Sequence, residues 1–218
     1  MNNGIRSLAT LGSVATIVFW IFIASTALTI SLQLYAIATD NLLSANGGMI
    51  FFLLGAIGLI WLLAFGVAIV VTALWVYRAH ANLHEARLAG LNYNPGWATA
   101  SFFVPLVNTY LPFVSTRELF NRSHGESDWH AKSDVGDVTS WVACNWGALV
   151  VFSAAVTYIA IDSIPGVHVM LPPAAFVGLF ILLYLLMLGS AWFMMQIIRK
   201  VTAAQQHGMH LSQGDVFA

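Results

Sequence analysis

Four long apolar runs set the pattern of the chain: residues 11–37, 49–77, 138–161 and 174–198, none of which holds an Asp, Glu, Lys or Arg. A helix needs about 20 apolar residues to cross the hydrocarbon core of a bilayer. Each run meets that length, and none alternates polar and apolar as a half-buried strand would. The pattern predicts an all-α integral membrane protein, a single membrane domain over 1–218 with four transmembrane helices in two in–out–in hairpins. The first run is too long for a signal-peptide core and has no clean small-x-small site after it, so it reads as an uncleaved span.

Between the second and third spans lies a cytoplasmic interfacial subdomain, 78–137. The second helix is expected to continue past Tyr77 towards Gly90, a C-terminal stop, with a turn over Asn92–Gly96. Trp97–Val114 is apolar enough to pass for a fifth span. Pro105 and Pro112 argue against it, because each breaks intrahelical bonding. Asn108 would also sit in mid-membrane, and a fifth crossing would carry Arg117 and Arg122 to the face opposite Arg78 and Arg87. The segment therefore reads as short, Pro-broken helices that lie in the interface or re-enter the bilayer, packed on the bundle that satisfies their backbone.

Composition agrees with a lipid solvent: 59% of the 218 residues are hydrophobic, 8% are charged, and mean hydropathy is +0.81. Soluble domains carry about 25% charged residues. A net charge of −1 gives no basic field for nucleic acid. With four spans, all eight Lys and Arg residues fall on one side, and the two opposite loops carry none. The positive-inside rule then puts both termini and the 78–137 segment in the cytoplasm. Trp75, Trp97, Trp141, Trp146 and Trp192 cluster towards that interface as a belt, while Trp20 and Trp61 pack between helices or face lipid. The single cysteine, Cys144, excludes an intrachain disulfide and a cysteine metal cage.

Within the spans, Gly55, Gly58 and Gly66 are expected to mark a packing face. Thr16, Ser25, Thr26, Thr29, Ser31 and Gln33 form a polar stripe on the first helix. Its hydroxyls either bond to their own helix or line a solute path. Asn145 reads as inter-helix glue. The two hairpins, each ending in a basic extension, permit a parallel repeat about the membrane normal.

The central stretch reads Trp75-x-x-Arg78-x-x-x-Asn82-Leu83, then Pro95-Gly96-Trp97, then Phe103-x-Pro105-x-x-Asn108-x-x-x-Pro112, then Glu118-Leu119. It resembles a bacterial multi-span membrane family known as domain of unknown function 4328, most strongly over Trp75–Arg122. The resemblance implies an inner-membrane protein and no known activity. His80 and His84 fall outside the family pattern.

Two sets of residues carry candidate chemistry. His80 and His84, spaced i, i+4, share a helix face and are weak candidates for a metal, with Glu85 beside them and His124 and His130 nearby; no metal or other cofactor is assigned. Arg78, Asn82, Trp97, Asn108 and Glu118 form a binding site or a structural clamp. In that clamp Glu118 pairs with Arg78, and Asn82 satisfies backbone freed by Pro105. There is no G-x-S-x-G elbow, Walker motif or dinucleotide glycine pattern. The expected function is therefore non-enzymatic: an accessory or scaffold protein whose cytoplasmic segment binds lipid head groups or a partner protein. The alternative is a small-solute channel or exporter working as a homo-oligomer. No intramembrane ionisable group supports a proton-driven pump.

Overall fold

The computed structural model describes residues 7–39, 48–104, 106–126, 135–166 and 171–207. Pro105, His130 and residues 40–47 lie outside them. Four long helices dominate: α1 (Ala9–Ala38), α2 (Gly48–Glu85), α5 (Gly136–Asp162) and α6 (Pro173–His207). All four are long and apolar enough to cross a membrane. Between α2 and α5 come α3 (Pro95–Ala100), a 3-10 turn (Val107–Thr109) and α4 (Leu111–Ser123). No strand occurs among the described residues.

α1 packs on both α2 and α6, and α5 packs on α6. The row therefore runs α2–α1–α6–α5, with α3 and α4 laid across one end as a cap. A two-fold repeat would bring α2 to α5 as closely as α1 meets α6. Instead α2 and α5 stand apart and face each other across a cleft.

The buried core lies at the cap end. Trp75, Val76, Ala79 and Leu83 of α2, Leu119 and Phe120 of α4, and Met195, Ile197, Ile198 and Val201 of α6 are all within a few per cent of full burial. The outer faces of the spans, by contrast, expose Leu59, Leu63, Val70, Val150 and Leu185. This division has a physical cause. Lipid gives apolar side chains no reason to leave it, so spans associate through close packing. Beyond the hydrocarbon, water drives apolar side chains together. α2 and α6 overhang the spans there and bury against α4.

The close approaches are at other glycines than those expected. A Cβ on Gly55, Gly58 or Gly66 would touch nothing, so these glycines face outward. A Cβ on Gly189 would lie 2.7 Å from Cys144 Sγ, one on Gly147 3.1 Å from Leu186, and one on Gly12 3.1 Å from Thr202 Oγ1. Small residues thus set the α5–α6 and α1–α6 contacts, where no glycine spacing flags them.

Candidate functional site

The junction of α2, α4 and α6 holds a buried polar network. Gln205 is at its centre: its Oε1 accepts from Asn82 Nδ2 at 3.0 Å, and its Nε2 donates to the Ala79 carbonyl at 3.1 Å and to Ser123 Oγ at 2.9 Å. One amide thereby ties three helices. A turn earlier on α6, Thr202 Oγ1 accepts the Trp75 indole N–H at 3.0 Å. Trp75 is fully buried and so does not belong to an interfacial belt; Trp141 is buried too and lies against Phe102, their ring centroids 6.1 Å apart. Trp97, Trp146 and Trp192 remain exposed.

The fourth apolar run ends at Ile198. The helix runs on to His207. The signal was present: Met194, Ile198, Val201 and Gln205 recur at the spacing of one helical face. Arg199 and Lys200 lie on the other side, where Lys200 Nζ pairs with Asp137 at 2.7 Å.

Glu118 is 1% exposed. It does not pair with Arg78. Its Oε1 accepts the backbone N–H of Asn92 at 2.8 Å, while Oε2 has no hydrogen-bond partner. The carboxyl pins the turn that follows α2. That turn differs from the expected run to Gly90: α2 ends at Glu85, and Arg87 (φ 53°) and Gly90 (φ 74°) both take left-handed conformations. Arg122 completes the fastening by donating to the Ala89 carbonyl at 2.6 Å and to the Glu126 carbonyl at 3.2 Å. Tyr93 lies beside Glu118, and its phenol is raised above its ordinary value, first by burial and then by the charges of Glu118 and Tyr110.

Asn94 and Pro95 explain the start of α3. Asn94 Oδ1 caps the Trp97 N–H at 2.7 Å, and Pro95 occupies the first turn, where its missing N–H costs nothing. Pro112 sits in the first turn of α4 in the same way. The expected role of Asn82 at Pro105 falls outside the described residues; Asn82 also donates to Gln205.

The two candidate histidines part company. His80, on the α2 overhang beyond the span, is 1% exposed and neither ring nitrogen has a hydrogen-bond partner. Burial, and then the neighbouring His84, lower its pKa to about 3. His84 is exposed, with Nε2 3.0 Å from the Tyr93 carbonyl. A carbonyl only accepts, so that nitrogen carries a proton and has no lone pair for a metal. No group of three His, Cys, Asp or Glu side chains converges among the described residues. His124 stacks on Phe120, with ring centroids 4.4 Å apart.

Arg78, Trp97 and Asn108 remain accessible, whereas Asn82 and Glu118 are built into the fold. The five candidates therefore divide into an inner clamp and an outer surface. Trp97, Phe103, Leu106 and Tyr110 expose large side chains on that surface; Leu106 is 87% exposed on a left-handed backbone (φ 67°).

Beneath the cap, the cleft between α2 and α5 encloses about 710 Å³. Its back wall is Phe19 and Phe22 of α1 with Ala191 and Met194 of α6, and its roof is Phe102, Phe103, Pro112 and Phe113. Asn108, Thr109 and Asn145 add polar groups at the roof end. The Trp146 indole donates to the Thr109 carbonyl at 2.8 Å, which fastens α5 to the roof. On α1 the stripe hydroxyls serve their own helix: Ser25 and Thr26 donate to the Phe22 carbonyl, Thr29 to Ser25 and Ser31 to Ala27. Asn145 Nδ2 likewise donates to the Trp141 carbonyl of its own helix at 3.0 Å.

No curated protein and no solved structure matches the chain. The family model for Domain of unknown function (DUF4328) matches residues 52–203, which take in α3, α4 and α5 and most of α2 and α6. The chain belongs to this family.

Proposed function

We propose that this DUF4328 protein is a non-enzymatic accessory protein of the bacterial inner membrane that binds lipid head groups through its cap. Both termini and the cap face the cytoplasm, a reading supported by the placement of all eight Lys and Arg residues on one side of four spans. The carrying observation is the division within the cap. Asn82, Glu118, Ser123 and Gln205 are used in holding helices together. Arg78 stays half-exposed, and the side chains of Trp97, Phe103, Leu106 and Tyr110 face outward. Amphipathic aromatic rings settle at head-group level, and a basic side chain near an anionic leaflet gains about 1 kcal/mol. A partner protein docking on the same surface is the competing outcome.

The test is native mass spectrometry of the full chain released from nanodiscs of equal phosphatidylglycerol and phosphatidylcholine. The wild type is expected to retain the anionic lipid preferentially. Arg78→Gln is expected to lower that preference about fivefold, the equivalent of about 1 kcal/mol. Equal retention of the two lipids, or a preference indifferent to Arg78, overturns the reading.

A further inference from the structure

The cleft under the cap has a shape that head-group binding does not require. Its back is closed: Phe22, Ala191 and Met194 are at most 4% exposed. Its lips are open: Ile69 of α2 and Leu149 and Phe152 of α5 are 40%, 50% and 53% exposed. The lips belong to two membrane spans, so the mouth opens sideways into hydrocarbon. An apolar cavity has no partners for water and stays dry. A helix from a second copy does not suit the space, because a spanning helix would run into the roof at Phe103 and Phe113. Polarity is graded along the cleft. Asn108, Thr109 and Asn145 lie at the roof, and Phe65, Trp61 and Phe152 lie further down. The volume of about 710 Å³ is in the range of small-ligand pockets, about 300–1,000 Å³.

We infer that the cleft is a binding site for one acyl chain of a membrane lipid, entered laterally between α2 and α5, with the ester region of the lipid at Asn108 and Asn145. The inference deepens the lipid reading of the cap, since the same molecule would present its head group there. It does not depend on which head group is chosen. The Trp146–Thr109 bond holds the roof over the chain at the α5 lip.

The test uses the full chain in nanodiscs that contain phospholipid with a diazirine at the end of one acyl chain. After photolysis, cross-linked residues are mapped by peptide mass spectrometry. Cross-links are expected at Trp61, Phe65 and Leu183, inside the cleft, at several times the yield found on Leu63, Val70 and Val150 of the outer faces. Ala73→Phe with Ala148→Phe, which fill the cleft, is expected to lower the cleft yield about tenfold and leave the outer yield unchanged. Outer-face cross-links alone, or a cleft yield untouched by the filling pair, overturn the inference. Anionic preference without cleft cross-links removes this site and leaves the cap reading standing. Cleft cross-links without anionic preference do the reverse. The wild-type map decides by itself if the filled variant fails to fold: a cleft yield no higher than the outer yield overturns the inference, and a several-fold excess supports it.

Discussion

Glu118 illustrates how a single side chain can be recognised as special and still be given the wrong partner. Its place in the family pattern marks it, and a cationic partner is the usual reason to bury a carboxylate. Here it receives a backbone N–H from Asn92. Backbone donors of a turn carry no residue signature, so the sequence could not point to that bond. Glu118→Ala is expected to destabilise the protein by about 2 kcal/mol, the cost of a buried N–H left without its acceptor. Glu118→Gln keeps an acceptor oxygen and should cost less than half of that in a thermal melt. An ion pair with Arg78 would instead make the two substitutions equally damaging. Gln205 was missed because it lies beyond the last span, in what composition alone marks as a tail. His80 gives a pH dependence. Its folded pKa of about 3 lies below the ordinary 6.5, so the unfolded chain takes up the proton first. Stability is therefore full above about pH 6.5 and falls as pH drops from there towards 3. His80→Leu should remove that part of the acid loss. It should also raise stability at pH 7 by about 1 kcal/mol, because the buried imidazole has no hydrogen-bond partner to lose. Melting temperature measured against pH for the two proteins checks both.

At the scale of elements, the four spans were legible because lipid demands an uninterrupted apolar run of known length. The starts of the cap helices were not: Asn92–Gly96 reads as a turn, yet α3 begins inside it, at Pro95 behind the Asn94 cap, and Pro112 opens α4 rather than breaking a helix. Nor were helix contacts. Gly55, Gly58 and Gly66 draw attention by number, yet they face away from the bundle, while single glycines at 12, 147 and 189 admit a neighbour. Which face of an apolar helix meets another is a tertiary matter, and in lipid both faces look alike in sequence. Gly189→Ala is expected to destabilise by about 1–3 kcal/mol through overpacking against Cys144, whereas Gly55→Ala and Gly58→Ala should be near neutral. Cys144→Ala should recover most of the loss in the double variant. Equal loss with and without the cysteine would show that the α5–α6 approach is not set at that contact.

For the whole molecule, hydropathy gives the span number and charge gives an expected orientation, but the cleft follows from the order α2–α1–α6–α5, which no run of residues encodes. The orientation is open to direct chemistry. In a chain with Cys144 replaced by Ala, a cysteine at Ser163 should react with a membrane-impermeant maleimide in intact cells. One at Glu85 should react only after permeabilisation. The reversed pattern would invert the topology and take the cap from the anionic leaflet. The lipid account itself is tested most directly by the density between α2 and α5 in a structure determined in lipid nanodiscs. It predicts one elongated density from the Asn108–Asn145 end of the cleft down to Trp61 and Phe152. A cleft closed by α2 moving onto α5, with no density between them, would contradict it.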